Sequence, residues 1–124
     1  DLRHPDADLL ARLDEQIESA CRAAAGPCEV QVRQTFAREP VVFADVIVRN
    51  LEAAAEGLGL GHTRLSSGAF HDANFIADLC PTGMIFVPCA GGISHSPKES
   101  ATPGDLAAGA RVLAATLVEL TGTS

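Results

Sequence analysis

The chain has 124 residues, enough for one modest domain or two partial ones. A net charge of −7 and a pI near 4.9 argue against nucleic acid and anionic membrane as partners. There is no basic-apolar leader and no apolar run long enough to span a bilayer, and the four cysteines form no C-x-x-C pair, so they read as reduced thiols of a cytoplasmic protein rather than a thiolate zinc site.

Residues 1–4 read as the end of a strand. Pro5 and Asp6 then start a helix, with Asp6 as its N-cap. Leu9, Leu10, Leu13, Ile17, Ala20, Cys21 and Ala24 recur at helical spacing, and Gly26-Pro27 ends the run. The charges between them are an ordinary solvated face. From Cys28 to Phe36 the pattern alternates: Val30, Val32 and Phe36 point one way, while Glu29, Gln31, Arg33 and Thr35 point the other. That predicts a half-exposed strand. Residues 37–42, with Pro40, read as a crossing into a second domain.

Asp45 is placed to cap a helix running to about Glu56, with Ile47, Leu51, Ala54, Ala55 and Leu58 on its core face and Gly57 and Gly59 at its end. His62–Leu65 reads as a short strand, and His62 as a surface residue. Asp72–Leu79 suits a short helix, with Asp72 favouring the dipole at its start. Met84-Ile85-Phe86-Val87 has no polar alternation, so it predicts a strand buried on both faces, as in a parallel sheet covered by helices. Thr102-Pro103-Gly104-Asp105 then starts a last helix, whose stripe Leu106, Ala110, Leu113, Leu117 and Leu120 is expected in the core.

Two polar loops flank the apolar run. Upstream stands Gly68-Ala69-Phe70-His71-Asp72; downstream stands Gly91-Gly92-Ile93-Ser94-His95-Ser96-Pro97. In parallel sheets, ligands sit beyond the carboxyl ends of the strands. A glycine pair lets backbone approach a ligand, and His95 beside it suits metal ligation or acid/base work. Glu99 is placed to brace this loop, with a supporting role toward a metal as the further possibility.

The motifs SGAFHDA and CPTGMIFVPCAGGISHSPKE, with DLRHP at the start, resemble the metal-dependent amidohydrolases of the N-carbamoyl-L-amino-acid hydrolase family, which includes allantoate amidohydrolase and β-ureidopropionase. The resemblance covers essentially the whole chain, and the two later motifs carry it. It implies an α/β fold. Residues 1–37 would be the C-terminal half of a small α+β, ferredoxin-like lid and dimerisation domain. Residues 38–124 would be the C-terminal part of a mostly parallel sheet catalytic domain flanked by helices.

The resemblance also implies roles. His95 matches a ligand of a site for two divalent metal ions, zinc or manganese, whose remaining ligands would lie outside this chain. His71 matches the histidine that hydrogen-bonds the scissile amide oxygen, and Arg3 the lid arginine that clamps the substrate carboxylate. Phe70 stands where the family usually has glycine, so its side chain bears on substrate binding. The implied activity is hydrolysis of a C–N amide bond in an N-carbamoyl amino acid or ureido acid such as allantoate or β-ureidopropionate, by a homodimer joined through the lid. The isolated chain is expected to be inactive. The competing reading is a non-catalytic standalone homologue acting as a dimerisation or binding module.

Overall fold

The computed structural model describes residues 1–122. They divide into two compact units: Asp1–Val42 with Ser66–Phe70, and Phe43–Leu65 with the chain from His71 onward.

The first unit is built on α1, Ala7–Ala24. The Asp6 carboxylate accepts from the Leu9 backbone N–H at 3.0 Å, which satisfies one of the free amides of the first turn. Leu9, Leu10, Ile17 and Cys21 share one half-buried face of the helix, as their spacing predicts. Arg22 pairs with Glu18 one turn earlier. The Gln34 side-chain amide donates to both carboxylate oxygens of Asp14 at 3.3 Å, which ties the stretch after α1 back to the helix.

The second unit is built on α2, Asp45–Gly57, and α4, Pro103–Thr121, which pack together; a single turn, α3, spans Ala73–Ile76. Ala44, not Asp45, is the N-cap of α2, and no side chain bonds there. Asp45 instead turns outward to Arg49 at 2.8 Å. The end of α2 is a Schellman turn: Gly59 N–H donates to Glu56 O at 2.9 Å and Leu60 N–H to Ala55 O at 2.9 Å. Thr102 caps α4, its hydroxyl oxygen accepting from Asp105 N–H at 3.1 Å.

Both helices lie against the apolar segment Thr82–Val87. A Cβ placed on Gly83 would fall 2.7 Å from Ile47 Cγ2 of α2, and one on Gly109 of α4 would fall 2.6 Å from Val87 Cγ1. These glycines are the points of closest approach between helix and extended chain. Ala55, Val112 and Thr116 are the most buried residues among those described, and the Thr116 hydroxyl donates to Val112 O at 2.9 Å.

Three expectations are corrected here. Cys28–Phe36, His62–Leu65 and Thr82–Val87 do not pair into strands among the described residues. A strand is stabilised by a neighbour's backbone, and among the described residues none of the three has a ladder beside it. The stretch 84–87 is covered on one face only: Ile85 and Val87 meet the Gly109 side of α4, while Phe86 is 45% exposed. Finally, α4 turns its expected stripe outward. Leu106, Leu113, Leu117 and Leu120 are about half exposed, and Ala108, Gly109, Val112, Ala115 and Thr116 face inward. The helix is apolar around most of its circumference, and its small-residue face approaches the extended segment most closely. No described helix is long and apolar enough to cross a membrane, and the four cysteines are free thiols.

On the surface of the second unit, the Arg64 guanidinium holds Glu52 through two contacts of 2.7 Å and reaches Asp45 at 3.3 Å. The Arg64 hydrogen bond is the main reason the Glu52 carboxyl lies below its ordinary value, and in return Glu52 raises the arginine.

Candidate functional site

In the first unit, Arg3 sits at the exposed end of the chain. Its Nε and Nη2 donate to the Asp1 carboxylate, the former at 2.9 Å, and its Nη1 donates to the Gly68 carbonyl. Both of these donors meet the same oxygen, Asp1 Oδ2, so the Nε–Nη2 edge of the guanidinium holds that carboxylate by one oxygen. Gly68 belongs to the tight turn Ser67–Phe70, where the Ser67 hydroxyl accepts from Ala69 N–H at 3.1 Å. Phe70 ends this turn. Its ring meets Phe36 edge to face, with centroids 5.7 Å apart. Arg3 and Phe70 thus belong to one unit, linked through the Gly68 turn.

His71 belongs to the second unit and is half-buried. Its carbonyl accepts from Asn74 N–H at 3.0 Å, which starts α3. Its ring lies 5.8 Å from that of Phe86. Asp72 occupies the N-cap position but makes no side-chain cap bond, because its own backbone is already helical.

The second unit also holds the downstream loop. The segment leaves Val87, passes Pro88 and Cys89, and makes one 3₁₀ turn at Ala90–Gly92. Ala90 N–H donates to Ser100 O at 2.7 Å and closes the base of the loop. His95 is exposed and has φ +55°, the one positive φ at a non-glycine residue among those described. Glu99 reaches back: its Oε2 accepts from the His95 backbone N–H at 2.7 Å, and its Oε1 accepts from the Cys89 thiol at 3.8 Å.

Among the described residues, no group of three or more His, Cys, Asp or Glu side chains is arranged to hold a metal ion.

Three contacts escaped the sequence reading. Asp1 grips Arg3; residues 1–4, expected as the end of a strand, form none, so strand alternation gives no signal for this contact. Phe36 backs Phe70, a long-range pairing with no local signal. Phe86 flanks His71, which the assumption of a strand buried on both faces concealed.

The model of the peptidase family M20/M25/M40 matches residues 3–119. The chain is 38% identical over 117 residues to the N-carbamoyl-L-amino-acid amidohydrolase of Rhizobium meliloti, covering 91% of this chain and 28% of that protein. It is 36% identical over 122 residues to the allantoate amidohydrolase of Escherichia coli (strain K12), covering 97% of this chain and 30% of that one. Among solved structures, an amidase of the hydantoinase/carbamoylase family from Burkholderia vietnamiensis matches with a TM-score of 0.85 at 38% identity, over 94% of this chain and 29% of that chain. The chain thus spans less than a third of the length of these relatives. It follows the path of one part of their fold, and it belongs to the peptidase family M20/M25/M40.

Proposed function

We propose that this chain is the C-terminal portion of a metal-dependent amidohydrolase that hydrolyses the C–N amide bond of an N-carbamoyl amino acid or a related ureido acid such as allantoate or β-ureidopropionate. The observation that carries the reading is the pair SGAFHDA and GISHSPKE within a chain 38% identical to a carbamoyl-amino-acid amidohydrolase. Within it, residues 1–37 are the second half of a lid and dimerisation domain of a cytoplasmic homodimer, and residues 38–124 belong to the catalytic domain.

The chemistry assigned to each residue follows from its type and setting. Arg3 binds the substrate carboxylate by the edge now turned to Asp1, exchanging one carboxylate for another. His71, with Phe86 limiting its ring, donates a hydrogen bond to the amide oxygen as negative charge gathers there. Phe70, backed by Phe36, narrows the substrate space. His95 is the residue assigned to a metal, and an imidazole suits zinc or manganese. The ligands that would complete two metal sites are assigned to sequence outside this chain, which spans 28% of the Rhizobium meliloti relative.

The test is a chimera in which this chain replaces the matching portion of the Rhizobium meliloti enzyme. Release of free amino acid from an N-carbamoyl amino acid is measured with added zinc or manganese, beside the 124-residue chain alone. The chimera should turn over and the chain alone should not. An inactive chimera whose fold and dimer are intact would favour the non-catalytic dimerisation module.

A further inference from the structure

We infer that Glu99 is a positioning residue for His95: its carboxylate fixes the backbone of the His95 loop in the left-handed conformation from which the imidazole is presented. The value of that presentation rests on the proposed ligand role of His95; the brace itself rests on geometry.

A histidine at φ +55° is in a region that L side chains adopt at a cost, because the Cβ crowds the backbone carbonyl. Such a conformation persists where surrounding bonds over-determine it. Here those bonds converge on one side chain. Glu99 Oε2 takes the His95 N–H at 2.7 Å, the length of a charge-assisted bond. Its Oε1 takes the Cys89 thiol at 3.8 Å, on the chain entering the loop. Its own backbone N–H donates to Ser96 O at 2.9 Å, so Glu99 is held by the turn that it braces. One carboxylate thereby connects the entry of the loop to its tip. Two glycines with positive φ, Gly91 and Gly92, lie between these anchor points. They set no direction for the tip by themselves, so Glu99 supplies it.

The experiment is nuclear magnetic resonance on the 124-residue chain and its Glu99→Gln and Glu99→Ala variants. The readouts are hydrogen exchange of the His95 amide and its HN–Hα coupling, which reports φ. The Val112 amide serves as the control for the fold. Glu99→Ala should speed exchange at His95 by about tenfold or more and shift its coupling, with Val112 unchanged. Glu99→Gln keeps an accepting oxygen and should restore both. Unchanged His95 exchange and coupling in Glu99→Ala, or no rescue by Gln, would overturn the inference. If Glu99→Ala unfolds the chain, the comparison moves to a His95→Gly background, where glycine takes the left-handed conformation unaided. Folding of that double variant supports the brace, and its collapse refutes it. Zinc titration of the chimera and its His95→Ala form is a separate measurement. Binding that does not depend on His95 would remove the ligand role and leave the brace standing.

Discussion

The imidazole of His71 lies against the ring of Phe86, centroids 5.8 Å apart and planes tilted by 58°. The contact joins the residue that opens α3 to the apolar segment leading into the His95 loop. A flat apolar neighbour limits the rotamers open to the imidazole. In the chimera, His71→Ala is predicted to lower kcat by about 10²–10³ with little change in KM, as loss of an oxyanion donor does. Phe86→Ala should lower kcat by about tenfold, because a donor that wanders is poorly aimed. Steady-state kinetics decide it; a raised KM at unchanged kcat in His71→Ala would remove the oxyanion role.

Gly109 has no room for a side chain. A methyl there would sit 2.6 Å from Val87 Cγ1. Gly109→Ala is predicted to be destabilising: overpacking costs about 1–3 kcal/mol, against about 1 kcal/mol that alanine gains over glycine in a helix. Shortening Val87 to alanine in the same chain should recover part of the loss. Urea unfolding followed by circular dichroism gives the sign, and a Gly109→Ala chain as stable as the parent would contradict the close contact.

The Arg64 and Glu52 pair gives the second unit a pH dependence. The folded Glu52 value lies below its unfolded one. The stabilisation is therefore fully present above the ordinary carboxylate value and is lost as pH falls through the lowered folded value. Arg64 is exposed and Glu52 only half-buried, so solvent screens the pair and the effect is small. Arg64→Met should lower unfolding free energy at neutral pH and match the parent in acid. An equal deficit at both pH values would show that Arg64 acts through packing instead.

Arg3 is predicted to act on binding more than on chemistry. In the chimera, Arg3→Met should raise KM for a carboxylate substrate by about tenfold to a hundredfold, from loss of a two-pronged ion pair. Arg3→Lys should recover little, since an ammonium cannot match the planar fork. Asp1→Asn should lower KM, because the competing carboxylate is gone. A KM indifferent to all three variants would move the carboxylate site elsewhere.

The helix boundaries were legible because they depend on neighbours in sequence. Asp6 and Thr102 announce the starts of α1 and α4, and the glycines after Glu56 announce the end of α2. What depends on distant partners was not legible. The alternation from Cys28 to Phe36 is real, yet alternation alone supplies no ladder, and none forms among the described residues. The leucine stripe of α4 marked an apolar face correctly and its direction wrongly, since Val112, Gly109 and Thr116 form a second face that packs more closely. At the loops, the residue types at Arg3, Phe70, His71 and His95 drew notice, but their partners Asp1, Phe36 and Phe86 appear only in the folded chain.

The outward leucines of α4 also set how this protein behaves in a tube. Leu106, Leu113, Leu117 and Leu120 leave a row of half-exposed hydrocarbon along a nineteen-residue helix. Water penalises such a surface in proportion to its area. Salting-out agents raise that penalty and gentle detergents relieve it. This face adds to apolar surface that the chain also exposes elsewhere, at Val42 and Leu79 above all, against which seven net negative charges work to keep copies apart.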